Sequence, residues 1–215
     1  MAKSINPTTQ IPHVPSRSAA ATLPPRELIA RQVGGHLALD FCNTAGEHLA
    51  ERPDELLRDW ESFLRWATQV SLIGPKSYSE LLNHPEQLGG IIQLREAIYR
   101  VGLAIAIARP ISKRDVAFLR SCADVPRPEI EFSGNAGQWR PTPSHASEQL
   151  SAVLANEALS LLCSPKAGRV GICEGGNCGW LFLDESRGKR RRWCDISDCG
   201  SRAKARRYYE KHKGS

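Results

Sequence analysis

Across residues 34 to 41, GGHLALDF, the apolar Leu37, Leu39 and Phe41 alternate with His36, Ala38 and Asp40 after a glycine pair, and this period of two predicts a short strand. The period then lengthens. In RPDELLRDWESFLRWATQV, Leu56, Trp60, Phe63 and Ala67 recur every three or four residues with Leu57 and Leu64 beside them. That is the stripe of an amphipathic helix, capped by Asp54 and ended near Gly74-Pro75. Ser77 and Glu80 in SYSELL match a capping box and predict a short second helix. A longer helix carries Leu94, Ile98, Val101 and Ile105 and stops before Pro110, with Gly89 and Gly90 blurring its start. Ser112 and Asp115 cap another, SKRDVAFLRSCA. PEIEFSGNAGQWRPTP reads as a small exposed hairpin, two extended runs around a turn-forming SGNAG. HASEQLSAVLANEALSLLC returns to the helical period, with Leu150, Leu154, Ala158, Leu161 and Leu162 facing inward until Ser164-Pro165 ends it. No long-period repeat appears, which excludes solenoids and propellers.

These elements predict a mainly α protein with short β elements, of the α+β class. A disordered leader over residues 1–25, rich in Pro, Ser, Thr and Ala and lacking the apolar core of a signal peptide, precedes a helical domain over 30–165. Composition changes after Pro165, and residues 168–213 form a second, small module. No apolar stretch is long enough to span a bilayer, so the expected partners include no membrane. The lack of an export signal and the odd count of seven cysteines make the cytoplasm the expected location.

Charge sharpens this division. The net charge is +6, from 29 Lys and Arg against 23 Asp and Glu. Residues 1–179 balance, with 18 of each sign, whereas residues 180–215 hold 11 basic and 5 acidic side chains. The whole excess therefore lies in the last segment.

That segment also holds a metal-site pattern. Cys173 and Cys178 enclose four residues, Cys194 and Cys199 enclose four, and fifteen separate the pairs. Two short chelating loops supply four soft ligands for one tetrahedral Zn²⁺, and the fifteen residues between them can make one hairpin. Four protein thiolates close the coordination sphere, so the zinc is structural. An iron–sulfur cluster also takes four thiolates. Gly175, Gly176 and Gly179 lie where backbone must approach the metal closely. Trp180, Leu181, Phe182, Leu183, Trp193 and Ile196 are the available apolar core, too small to fold without the ion. Cys42, Cys122 and Cys163 lie in apolar patterns and read as buried small hydrophobes. Scattered histidines, with no HExxH pair, no GxSxG elbow and no Gly-rich nucleotide loop, predict no enzyme and no catalytic residue.

Between the cysteine pairs runs RGKRRR, and after Cys199 comes RAKARRYYEKHK, a run of good helix formers whose single acidic residue is Glu210. A basic loop and a basic helix tethered to one metal centre suit nucleic-acid phosphates, with Arg190, Arg191, Arg207 and Lys211 as anchors and Arg202 and Arg206 turned to a groove. Duplex DNA is the leading partner, with RNA open.

The string CEGGNCGWLFLDESRGKRRRWCDISDCGSRAKARRYY resembles the CGNR zinc finger over residues 173 to about 209. The resemblance implies zinc ligation by Cys173, Cys178, Cys194 and Cys199, and DNA binding near Arg192, Trp193, Arg202 and Lys204. Ser201 stands where that family has Asn; a serine there can still cap the helix. Upstream, GGHLALDFCNTAG with the DELLRDWESFLRWA and LREAIYR stretches resembles the ABATE domain, described as belonging to stress-induced transcriptional regulators. Its most specific part is LDFxNT: Leu39, Asp40, Phe41, Asn43 and Thr44. Asp40, Asn43 and Thr44 either line a pocket for a small-molecule effector or hydrogen-bond a turn, and turn chemistry favours the latter.

Residues and resemblance converge on a zinc-finger DNA-binding transcriptional regulator whose N-terminal domain senses a ligand or partner. A single finger makes few base contacts, so a homodimer is one route to specific affinity. The competing readings are a zinc–thiolate redox switch and a protein-interaction or RNA-binding module.

Overall fold

A computed structural model describes residues 30–86 and 88–213, and the expected leader over 1–25 lies outside them. The fold class is as predicted: seven α-helices and three two-stranded antiparallel sheets among the described residues.

The first element corrects the sequence reading. Residues 34–41 do not form a strand; Leu37–Cys42 is a helix, α1, whose start is capped by the His36 ring accepting from the Ala38 N–H. Ala38, Leu39, Asp40, Phe41 and Cys42 are all buried, so the helix has no polar face to mark a period of 3.6, and its alternation is accidental. Two-residue strands β1 (Ala45–Gly46) and β2 (Asp54–Glu55) pair next. Asp54 thus lies in a strand; the cap of helix α2 (Trp60–Gln69) is Asp59, locked in a reciprocal box with Ser62. Helix α3 (Pro75–Leu82) starts at its proline after Gly74, and Ser77 is buried inside it instead of capping it.

Helix α4 (Gly89–Ala106) is the central element. It packs on α1, on α5 (Lys113–Ala123) and on α6 (Ala146–Leu162), and α1 also packs on α6. Ser112 caps α5 as predicted, accepting from the Asp115 N–H, while the Asp115 carboxylate pairs with Arg100 of α4 at 2.6 Å. The exposed hairpin is present as β3 (Glu129–Ser133) and β4 (Ala136–Arg140). Of the three cysteines expected inside, Cys42 is buried, Cys122 half-buried and Cys163 exposed, the last because it forms the C-cap of α6.

One apolar core runs through the helices and into the small module. Phe41, Phe63, Trp66, Leu94 and Leu154 are joined in it by Val170, Leu181 and Leu183 from β5 (Val170–Ile172) and β6 (Leu181–Leu183). The module's hairpin is thus β5 with β6, wrapped around the first cysteine loop; it does not lie between the cysteine pairs. Gly102 on α4 admits this contact, since a Cβ there would fall 2.7 Å from a Leu181 methyl.

Candidate metal centre and nucleic-acid interface

The β5–β6 hairpin continues one bond further, the Cys173 N–H donating to the Trp180 carbonyl at 2.8 Å, and so folds the Cys173–Cys178 loop back on itself. Gly176 and Gly179 take positive φ, +73° and +63°, to make the turn. The second loop reaches the first through the Glu174 N–H on the Arg192 carbonyl, and a π-helical turn, Ile196–Gly200, capped by Asp195, delivers Cys199.

The four sulfur atoms all lie within 4.8 Å of one another and all four cysteines are buried. Cys178 and Cys199 stand 3.7 and 3.6 Å from Cys194, close to the edge of ~3.8 Å expected for a tetrahedron of Zn–S bonds of about 2.3 Å. Packed this way without a cation, the thiols cannot all ionise. Hydrogen bonds from the neighbouring thiols push Cys173 down, while bonding to Cys173 pushes Cys178 and Cys194 up. A divalent ion removes the conflict by holding four thiolates at once. A Cβ on Gly175 would lie 2.8 Å from the Cys199 sulfur and 3.2 Å from that of Cys173, so the backbone passes the site closely, as the glycines suggest. The centre holds one structural zinc ion.

The predicted basic residues divide into two groups. Arg191 is drawn inside. Its guanidinium donates to the carbonyls of Val33, Leu183, Trp193 and Cys194 and lies 4.3 Å above the Phe182 ring. Arg192 pairs with Glu174, and Arg202 pairs with Asp198 and donates to the Cys199 sulfur at 3.1 Å. Arg206 lies over Gly176, its guanidinium 3.2 Å from where a Cβ would stand. Arg190, Lys204, Arg207 and Lys211 are exposed, the first on the basic loop and the others on α7 (Ser201–His212). Asp184 shapes that loop by accepting from the N–H groups of Ser186 and Arg191, and Ser186 accepts from the Arg190 N–H. Ser201 does not cap α7; it is the first residue of the helix, and its hydroxyl donates to the Ile196 carbonyl. Ile196, expected in the core, is 75 % exposed.

Asp40, Asn43 and Thr44 are buried; Asn43 joins the domain to the module directly and Asp40 does so through Gly34. Asn43 grips the β6 backbone from both sides: its amide donates to the Leu181 carbonyl and its oxygen accepts the Leu181 N–H, each at 2.9 Å. Asp40 accepts the Gly34 N–H at 2.8 Å, Gly34 in turn accepts from Leu183, and Thr44 donates to Phe41 in the expected turn. Burial raises the Asp40 carboxyl to about 6 against the Gly34 and Val33 N–H groups that favour its charge. These side chains are spent on a latch, made by Asn43 and Asp40, and on the turn closed by Thr44.

The sequence reading missed the rest of this latch. The Trp180 indole donates to the Ala45 carbonyl and the Tyr99 hydroxyl to the Gly179 carbonyl, at 2.8 and 3.0 Å. The His48 and Leu49 N–H groups donate to Cys178 and Asn177. The His48 ring stacks on Tyr99 at 3.5 Å and bonds Glu96. Only CGWLF, in which a tryptophan follows the ligand loop, signalled any of this locally.

A helical domain fused through its core to a four-thiolate zinc module defines the class. A family model described as “CGNR zinc finger” matches residues 169–212, and one described as “Putative stress-induced transcription regulator”, ABATE, matches residues 35–165. The second spans more than half the sequence: the chain belongs to the ABATE family and carries a CGNR zinc finger. No curated protein matches the chain.

Proposed function

We propose that the protein is a zinc-dependent, DNA-binding transcriptional regulator of the cytoplasm with no catalytic activity. The observation that carries this is the anchoring of both basic elements, the Arg190 loop and α7, to one zinc centre, with their free cations turned outward. Phosphate contact by Arg190, Lys204, Arg207 and Lys211 needs no base edge and suits duplex DNA as the partner. Burial of all four thiols supports this reading over a thiol switch.

Anisotropy titration of the zinc-loaded chain with mixed-sequence duplex DNA is the test. Four to six neutralised phosphates give a log–log salt slope of about −4 to −5. Absence of binding at low salt, or binding indifferent to salt and to chelation of zinc, overturns the proposal.

Ligand sensing belongs in a different place from Asp40. A groove of about 840 Å³ opens between α4 and α5, lined among others by Gln93, Glu96, Arg100, Asp115 and Phe118. Glu96 connects it through His48 to the ligand loop. An effector seated there acts on the zinc module through that pair. Phe118→Trp, which adds bulk to the groove wall, weakens any effector-induced thermal shift if this is the site.

A further inference from the structure

Helix α7 is unusual in burying none of its residues, and it lacks the amide side chains that read adenine edges. In a duplex groove Asn and Gln read adenine edges and Arg or Lys read guanine edges. No Asn or Gln occurs between residues 201 and 213. Of the three arginines, Arg202 is held by the Cys199 sulfur and Asp198, and Arg206 lies over the Gly176 turn. Outward on the helix are Arg207, Lys204, Lys211 and two tyrosines, Tyr208 and Tyr209, the rings 62 % and 69 % exposed.

The tyrosines are organised. Their rings meet edge to face at 6.0 Å, and the His212 ring stacks behind Tyr208 at 4.3 Å and holds it upright. Together with Lys204 and the small Ser201 and Ala205, they line a cup of about 320 Å³. Two exposed ring faces set at 79° to each other, a floor of short side chains and a lysine at the rim are the parts of a stacking site for a base with its phosphate held alongside. In an intact duplex base faces are covered by their neighbours, and only an unpaired base offers a face to the ring.

We infer that Tyr208 and Tyr209 form a stacking platform for unpaired bases, so that the module holds single-stranded nucleic acid, or an opened stretch within a duplex, more tightly than closed duplex. This rests on the nucleic-acid reading above and adds the form of the partner. Lys204 and Lys211 hold phosphate in both forms; the rings act on the unpaired form alone.

The test uses the full zinc-loaded chain with a mixed-sequence 16-nucleotide single strand, as DNA and as RNA, and the corresponding duplex. 2-Aminopurine in the strand reports stacking by quenching. Tyr208→Ala and Tyr209→Ala each weaken single-strand binding roughly 5- to 100-fold, with loss of quenching, and change duplex binding by less than about twofold. Tyr208→Phe and Tyr209→Phe keep the ring and the affinity. Because α7 buries nothing, zinc content stays at one per chain in all four variants. Equal loss on strand and duplex, or no loss with either alanine variant, overturns the platform while leaving phosphate binding intact. If the wild-type chain binds neither form at low salt, the nucleic-acid reading falls as well.

Discussion

At Asp40 burial and charge oppose each other directly. The carboxyl sits beneath Gly34 in the seam between the two modules, and its affinity for a proton is raised to about 6 in the folded chain against 3.8 as the ordinary value. Between about pH 4 and 6 the native state therefore holds more protons than the unfolded one, and stability falls as pH rises through that window. Asp40→Asn flattens the dependence, read as the slope of Tm against pH over this range. Asn43 carries the opposite lesson, because its two bonds leave no charge to titrate. Asn43→Ala strands the N–H and carbonyl of Leu181 in the core and lowers stability by roughly 1–3 kcal/mol for each, measured by urea unfolding. Arg202 is a residue of the metal site. Its donation to the Cys199 sulfur offsets part of the −2 charge of a four-thiolate zinc complex, so Arg202→Ala weakens zinc retention by roughly 10- to 100-fold in competition with a chromophoric chelator.

Among the elements, the Cys173–Cys178 loop tolerates least change. A methyl on Gly175 would meet the Cys199 sulfur and its Cβ, at 2.8 and 2.9 Å, and neither can move without leaving the metal. Gly175→Ala therefore yields a chain that binds less than one zinc when expressed in limiting metal, measured by mass spectrometry under native conditions. Helix α7 stands at the other extreme, held by its link to the π-turn and by its own propensity. Its amides exchange with solvent orders of magnitude faster than those of α4 and slow when nucleic acid is added. The element scale is also where sequence patterns misled. Helix α1 is buried at every residue but Leu37 and shows no amphipathic stripe, whereas α2, α4 and α6 each keep a polar face and were legible. The caps at Asp59 and Pro75 differ from those read at Asp54 and Ser77 because several residues in each stretch satisfy the same short rule, and packing selects among them.

Over the whole molecule, zinc supports more than its own module. Val170, Leu181 and Leu183 belong to the same core as Trp66 and Leu154, and backbone bonds from residues 34, 45, 48 and 49 reach strand β6 and the Cys173–Cys178 loop or its flanks. Stripping the metal therefore lowers the melting temperature of the helical domain, on the order of 10 °C, and the chain melts in one transition with zinc present. Two transitions in the zinc-loaded chain would show the modules to be uncoupled.

The sequence alone determined the metal centre, the basic segment and most of the helices, because cysteine spacing, charge runs and amphipathic periods are local and each is written within a few dozen residues. Only the tertiary structure decided what those local features do together. Asn43 and Leu181 are 138 residues apart, and nothing in either stretch announces that one clamps the other. Nor does a run of arginines distinguish Arg191, held by four carbonyls, from Arg190, free beside it. That division depends on which side chain faces a desolvated wall of unpaired acceptors, and folding creates the wall.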